Sequence, residues 1–199
     1  MQTEPGKLQE FREYRRIAGV DQIGRRYFAM NAFDGILTMI GVLMGSLIAR
    51  ISDPFIVLYT GLTTSLAMGV SGFWGAYVTE SAERKHELAE LEHAMLRSLS
   101  HSKQARAGRF AVIVVSIIDG VSPLLAGFIV LIPFLLPTAQ LSIRTTYLAS
   151  LGIAMVLLFG LGVYLANIAK EGLIRSGLRM LFAGVLCVGL SVLLSTFGG

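Results

Sequence analysis

Five stretches of this chain are long and apolar enough to cross a bilayer, and that removes most folds from consideration. Phe55 to Val78, Thr145 to Ala169 and Met180 to Gly199 contain no charged residue, while Phe28 to Ala49 and Phe110 to Leu136 each contain one, an aspartate. As helices rising about 1.5 Å per residue, all five match a hydrocarbon core ~30 Å thick. Only 15% of the 199 residues are charged, against roughly a quarter in soluble domains. The expected fold is all-α, a polytopic membrane protein with five transmembrane helices.

The basic residues give that fold an orientation. Residues 1–27 hold six Lys or Arg, residues 79–109 six and residues 170–179 three, whereas the alternate loops hold only Arg50 and Arg144. By the positive-inside rule the N-terminus and the second and fourth loops are expected in the cytoplasm, and the C-terminus outside. Orientation accounts for the net charge of +4, and no nucleic-acid partner is expected. Residues 1–27 show no signal-peptide pattern. They mix Phe11, Tyr14, Ile17 and Val20 with five arginines, which reads as a cytoplasmic amphipathic segment at headgroup level. Residues 28–199 form the transmembrane domain, within which 79–108 extends the second helix into the cytoplasm, to about Ser100, followed by a loop. The single cysteine, Cys187, excludes an intrachain disulfide.

A carboxylate inside a membrane-length helix costs roughly 2.5–3.5 kcal/mol on insertion scales, so it persists mainly beside a polar pathway or a partner. Asp34 and Asp119, 85 residues apart, are each followed by glycine. Asp34 shares a helix stripe with Thr38, Gly41 and Gly45, at i+4, i+7 and i+11. Asp119 lies about 13 Å into the third span, flanked by Ser116 and Ser122. It reads either as a proton or metal site or as a structural hydrogen bond at Pro123. Pro123 and Pro133 are expected to kink or break that span. The Asp-Gly echo suggests a duplicated helix pair, in which Asn167 would face the same interior as Asp119.

The second span has its own stripe, Gly61, Ser65, Met68, Gly72, Gly75 and Thr79, on which Met68 is the only large side chain. A thioether near a carboxylate suits a borderline cation such as Fe2+ better than Mg2+ or Ca2+; by itself it equally suits packing. Beyond the span come two Glu-x-x-His units, Glu83 to His86 and Glu90 to His93, with Glu80 and Glu87 beside them. Such spacing occurs in di-iron sites and, as readily, on solvated helix faces. Leu88, Leu91, Met95 and Leu99 form the opposite stripe, which needs a helix to pack against. The turn to the fourth span is expected at Thr138 to Arg144. No phosphate loop, nucleophile elbow or His-Glu-x-x-His occurs, so neither an enzyme nor ATP-driven transport within this chain is expected.

With Asp34-Gly35 and Thr38, Met68-Gly69 with Gly72-Phe73, a proline-bearing third span, and Arg175-Ser-Gly177-Leu-Arg179-Met-Leu-Phe-Ala-Gly184 in the fifth, the chain resembles the vacuolar iron transporter family of Fe2+ and Mn2+ transporters. The resemblance covers residues 31 to about 196. It implies a five-helix homodimer with the metal path between protomers, and a pathway aspartate and methionine matching Asp34 and Met68. Iron-storing members carry a larger cytoplasmic domain between the second and third spans, which is short here. Asp119 is outside the family pattern.

The expected function is divalent-metal transport, Fe2+ or Mn2+ leaving the cytoplasm by proton antiport. The metal is cargo, with no permanently bound cofactor, and the partners are proton, bilayer and a second copy. The candidate metal residues are Asp34, Thr38, Met68, Asp119, Glu80, Glu83, His86, Glu87, Glu90 and His93. A cytoplasmic (cell) membrane is expected first and an acidic organelle such as the vacuole second. A non-transporting membrane scaffold and a ferroxidase-like metal-binding protein are the alternatives.

Overall fold

A computed structural model describes the backbone of residues 7–136 and 142–197, with side chains from Arg12 onward. Six helices follow in order: α1 (Lys7–Ile17), α2 (Val20–Ile48), α3 (Pro54–Met95), α4 (Lys103–Leu135), α5 (Ile143–Ala169) and α6 (Leu173–Phe197). All but α1 are long and apolar enough to cross a membrane. The all-helical, five-span fold expected from hydropathy is what forms. Helices close their own backbone hydrogen bonds, as hydrocarbon requires.

Local chemistry sets the boundaries. Gly19 adopts φ 62, a left-handed conformation that costs glycine little, and it separates α1 from α2. The segment expected as one amphipathic piece over 1–27 is therefore divided, and residues 20–27 are the first two turns of α2. The Asp53 carboxylate accepts from the Phe55 N–H at 2.9 Å ahead of α3, where Pro54 occupies the first helical position that suits it. Helix α3 ends at Met95, short of Ser100, because Leu96 turns left-handed at φ 49. Ser142 caps α5. Most of the turn expected at Thr138 to Arg144 lies outside the described residues.

Helix α4 runs unbroken through Pro123 and Pro133, so of the expected kink or break the break does not occur. Proline removes one N–H and crowds the preceding turn of its own helix. Gly35 of α2 comes so close that a Cβ there would lie 2.8 Å from the Pro123 Cα. The absent side chain of Gly35 lets α2 pass close to α4 at Pro123.

The chain divides into two compact units, residues 1–28 with 70–121, and residues 29–69 with 122–199. In the second unit Ile36, Met39, Ile40 and Leu43 of α2 meet Val57 and Leu58 of α3, Val130, Leu131 and Phe134 of α4, and Tyr147, Ala154 and Leu158 of α5. Phe134 and Tyr147 meet edge to face at 5.2 Å, and the Tyr147 hydroxyl donates to the Ile51 carbonyl at 3.1 Å. The first unit has a smaller core, Ala18, Val20, Ala107 and Ala111, flanked by Tyr14, Ile17, Phe110 and Val114. Helix α6 buries only 6% of its apolar window within the chain.

Helices α5 and α6 approach closely at Gly162, where a Cβ would lie 2.6 Å from the Ser176 carbonyl oxygen and 2.7 Å from the Gly177 Cα. A Cβ at Gly160, two residues earlier, would meet nothing within 4 Å. Gly162→Ala should therefore destabilise by about 1–3 kcal/mol through overpacking, whereas Gly160→Ala should be neutral or slightly stabilising through helix propensity. Thermal unfolding in detergent micelles checks the pair; equal midpoints would remove the close approach as a stability determinant.

Candidate functional site

The buried side of α2 fixes where its polar side points. With Ile36, Met39, Ile40 and Leu43 all but inaccessible, Asp34 is turned outward and exposed, and Thr38 is half-buried. Asp34 forms no hydrogen bond or ion pair among the described residues. The stripe continues through Gly41 and Gly45, where a Cβ would touch nothing within 4 Å. Gly41, Gly45, Ile48 and Arg50 border an open cleft with Ser191, Leu194 and Ser195 of α6. One face of this span therefore carries a carboxylate, a hydroxyl and small residues, and among the described residues none lies within 4 Å of where a Cβ on Gly41 or Gly45 would be.

Met68 is half-buried, and a sulfur contact elsewhere on α3 sets its height. The Ser65 hydroxyl donates to the Met39 sulfur at 3.8 Å, so residues 65 and 39 are level. In antiparallel helices rising about 1.5 Å per residue, Met68 is then level with Ile36. Its thioether lies in height between Asp34 and Thr38.

Asp119 has the opposite environment. It is 5% exposed, Ser116 and Ser122 are buried with it, and the Ser116 hydroxyl donates to the Val112 carbonyl at 2.6 Å. A Cβ at Gly72 would lie 3.1 Å from the Asp119 carbonyl oxygen and 3.2 Å from its Oδ2, so the missing side chain of Gly72 leaves the carboxylate its room. The two Asp-Gly pairs, alike in sequence, stand in unlike surroundings. Asn167, expected to face an interior, is exposed in the last turn of α5.

At the charged end of α3, Glu80 is 7% exposed. It accepts from the Tyr27 hydroxyl at 3.0 Å and lies 3.7 Å from the Arg84 Nε. Arg84 also donates to Glu87 at 2.8 Å and to the Ala18 carbonyl at 3.2 Å. Glu80 and Glu87 are thus held by an arginine. Glu83, His86, Glu90 and His93 are exposed, and His86 pairs with Glu90 at 3.4 Å, one turn onward, rather than with Glu83 as its i−3 spacing suggests. Among the described residues no three His, Cys, Asp or Glu side chains converge on one point. Tyr27, Arg84 and Gly72 were not singled out as partners of these carboxylates by sequence pattern. The Glu80–Arg84 spacing of four was a legible signal; Tyr27, 53 residues from Glu80, gave none.

The sequence profile of the VIT family matches residues 26–116, a span that includes Tyr27, Asp34, Met68, Glu80 and Arg84. The uncharacterized protein MJ0645 of Methanocaldococcus jannaschii is 30% identical over 170 residues, covering 84% of this chain and 85% of that protein.

Removing the guanidinium would leave the Glu80 carboxylate buried beside a tyrosine alone. Arg84→Gln should destabilise by about 3 kcal/mol, and adding Glu80→Gln should recover most of the loss. Thermal unfolding of both variants decides it; a double variant as unstable as the single one would show that the ion pair is not what Arg84 contributes.

Proposed function

Because the chain belongs to the VIT family of membrane metal-ion transporters, we propose that it carries Fe2+ or Mn2+ out of the cytoplasm in exchange for protons, as a homodimer in the cell membrane. The observation that carries this reading is the exposed Asp34 carboxylate on a membrane-spanning helix. An intramembrane carboxylate is a functional group by default, because hydrocarbon offers it neither solvation nor a counter-charge.

The cargo must exchange water for protein ligands. Asp34 and Thr38 offer oxygen, which also suits Mn2+, and Met68, level with them, offers a polarisable sulfur, which favours Fe2+ over harder ions such as Mg2+ or Ca2+. A carboxylate binds metal only when deprotonated, so proton uptake by Asp34 releases the ion on an acidic side and couples the two flows. The open Gly41 and Gly45 face permits close helix approach, and a second copy there would enclose Asp34 in a path shared by the protomers. Glu83, His86, Glu90 and His93, exposed beyond the span, concentrate cations at the entrance without forming a tight site.

Metal flux into proteoliposomes with an acidic lumen tests the reading. Asp34→Asn should lower flux by at least about tenfold, and Met68→Leu should raise the half-saturating Fe2+ concentration by about tenfold, the equivalent of 1.4 kcal/mol. Wild-type transport by Asp34→Asn would end the proposal.

A further inference from the structure

The residues around Arg84 also line a cavity of about 270 Å3 in the first unit, between the end of α1, the extended part of α3 and the start of α4. Its wall is divided by chemistry. Arg84, Lys85 and Arg109 bring positive charge, Ser81, Ser100 and Gln104 bring hydrogen-bonding groups, and Ile17, Leu88, Leu91 and Val112 bring hydrocarbon. Of its charges, only Glu87 is negative, and Arg84 already neutralises it at 2.8 Å. Lys85 and Arg109 enter no ion pair among the described residues. The cavity therefore presents two uncompensated cations beside an apolar wall, a surface for an amphiphilic anion.

Its depth identifies the anion. Arg109 directly precedes Phe110, the first residue of the third apolar run, and Arg84 lies six residues beyond Val78, the last of the second. At 1.5 Å per residue the cations occupy the first ~9 Å outside the hydrocarbon, about where lipid phosphates lie. Below Arg109 on the same face of α4, Ile113, Ile117 and Val121 are exposed at i+4, i+8 and i+12, a track that an acyl chain can follow into the bilayer.

We propose that this cavity is a binding site for an anionic phospholipid, with its phosphate between Lys85 and Arg109, its glycerol against Ser81, Ser100 and Gln104, and an acyl chain along α4. Basic pockets beside transmembrane helices take lipid headgroups in this way. A zwitterionic lipid brings its own cation to the site and gains less. The inference is independent of the cargo, since none of the proposed transport residues in the spans lines the cavity.

The test is thermal unfolding of the full chain in detergent with dioleoylphosphatidylglycerol, dioleoylphosphatidylcholine or glycerol 3-phosphate added. Phosphatidylglycerol should raise the midpoint by about 5 °C near saturation, and the other two should have little effect. The double variant Lys85→Gln/Arg109→Gln should lose the shift while unfolding near the wild-type midpoint without lipid; if it does not fold, each single variant should lose about half. Equal shifts from phosphatidylcholine would mean bulk solvation, and an equal shift from glycerol 3-phosphate would mean a free-anion site. Either result, or a shift undiminished in the variants, overturns the proposal. Native mass spectrometry of the wild type, loaded with phosphatidylglycerol, should retain one lipid per chain, and none retained would also overturn it.

Discussion

Hydrocarbon accepts no unbonded polar group cheaply, and the arrangement of α2 follows from that constraint. Ile36, Met39, Ile40 and Leu43 are locked into the core of the second unit, which fixes the rotation of the helix about its axis. Once that rotation is set, Asp34 has to face outward, together with Thr38, Gly41 and Gly45. A carboxylate costing roughly 2.5–3.5 kcal/mol in lipid is then held at a surface that its own chain leaves uncovered. Covering the surface with a second copy, and filling it with an ion or a proton, are two answers to the same electrostatic problem.

The charged end of the chain meets the constraint differently. Glu80 is nearly as buried as Asp119, but Tyr27 and Arg84 surround it, and Arg84 reaches on to Glu87 and the Ala18 carbonyl. One guanidinium ties two carboxylates of α3 to the α1–α2 turn, and Glu80 carries the link on to Tyr27 of α2. Such a network gains little net stability over an apolar equivalent, yet breaking it by removing one partner is costly. That asymmetry makes it a fastening for the α1–α2 turn. Glu80, by spacing a candidate metal ligand, is one member of this network.

How much the sequence conveyed depended on the range of each interaction. Hydropathy over twenty-odd residues located the five spans, and the unbroken polar run after Val78 announced the long α3. Gly19 was visible as a glycine, yet the restart of helix at Val20 was hidden because Arg25 and Arg26 resemble a solvated segment. The His86–Glu90 contact shows that i, i+3 and i, i+4 neighbours compete, so two Glu-x-x-His units did not determine their own pairing. Asp34 and Asp119 were indistinguishable by motif, since their difference lies in which residues of other helices cover them. Burial of a helix face is a property of the packed chain.

That difference gives the two aspartates separate physical environments. Pro123 has no N–H to offer the Asp119 carbonyl four residues back, and Gly72 contributes no side chain at the place where that carbonyl and the Asp119 carboxylate come close to α3. Polar atoms are thus gathered at one buried point of a helix that nevertheless continues to Leu135. Ser116 commits its proton to Val112, so its hydroxyl hydrogen does not serve the carboxylate. The chemistry of a group enclosed in this way is governed by its immediate neighbours. Asp34 has the reverse condition: among the described residues nothing covers it, so its charge is governed by what approaches from outside.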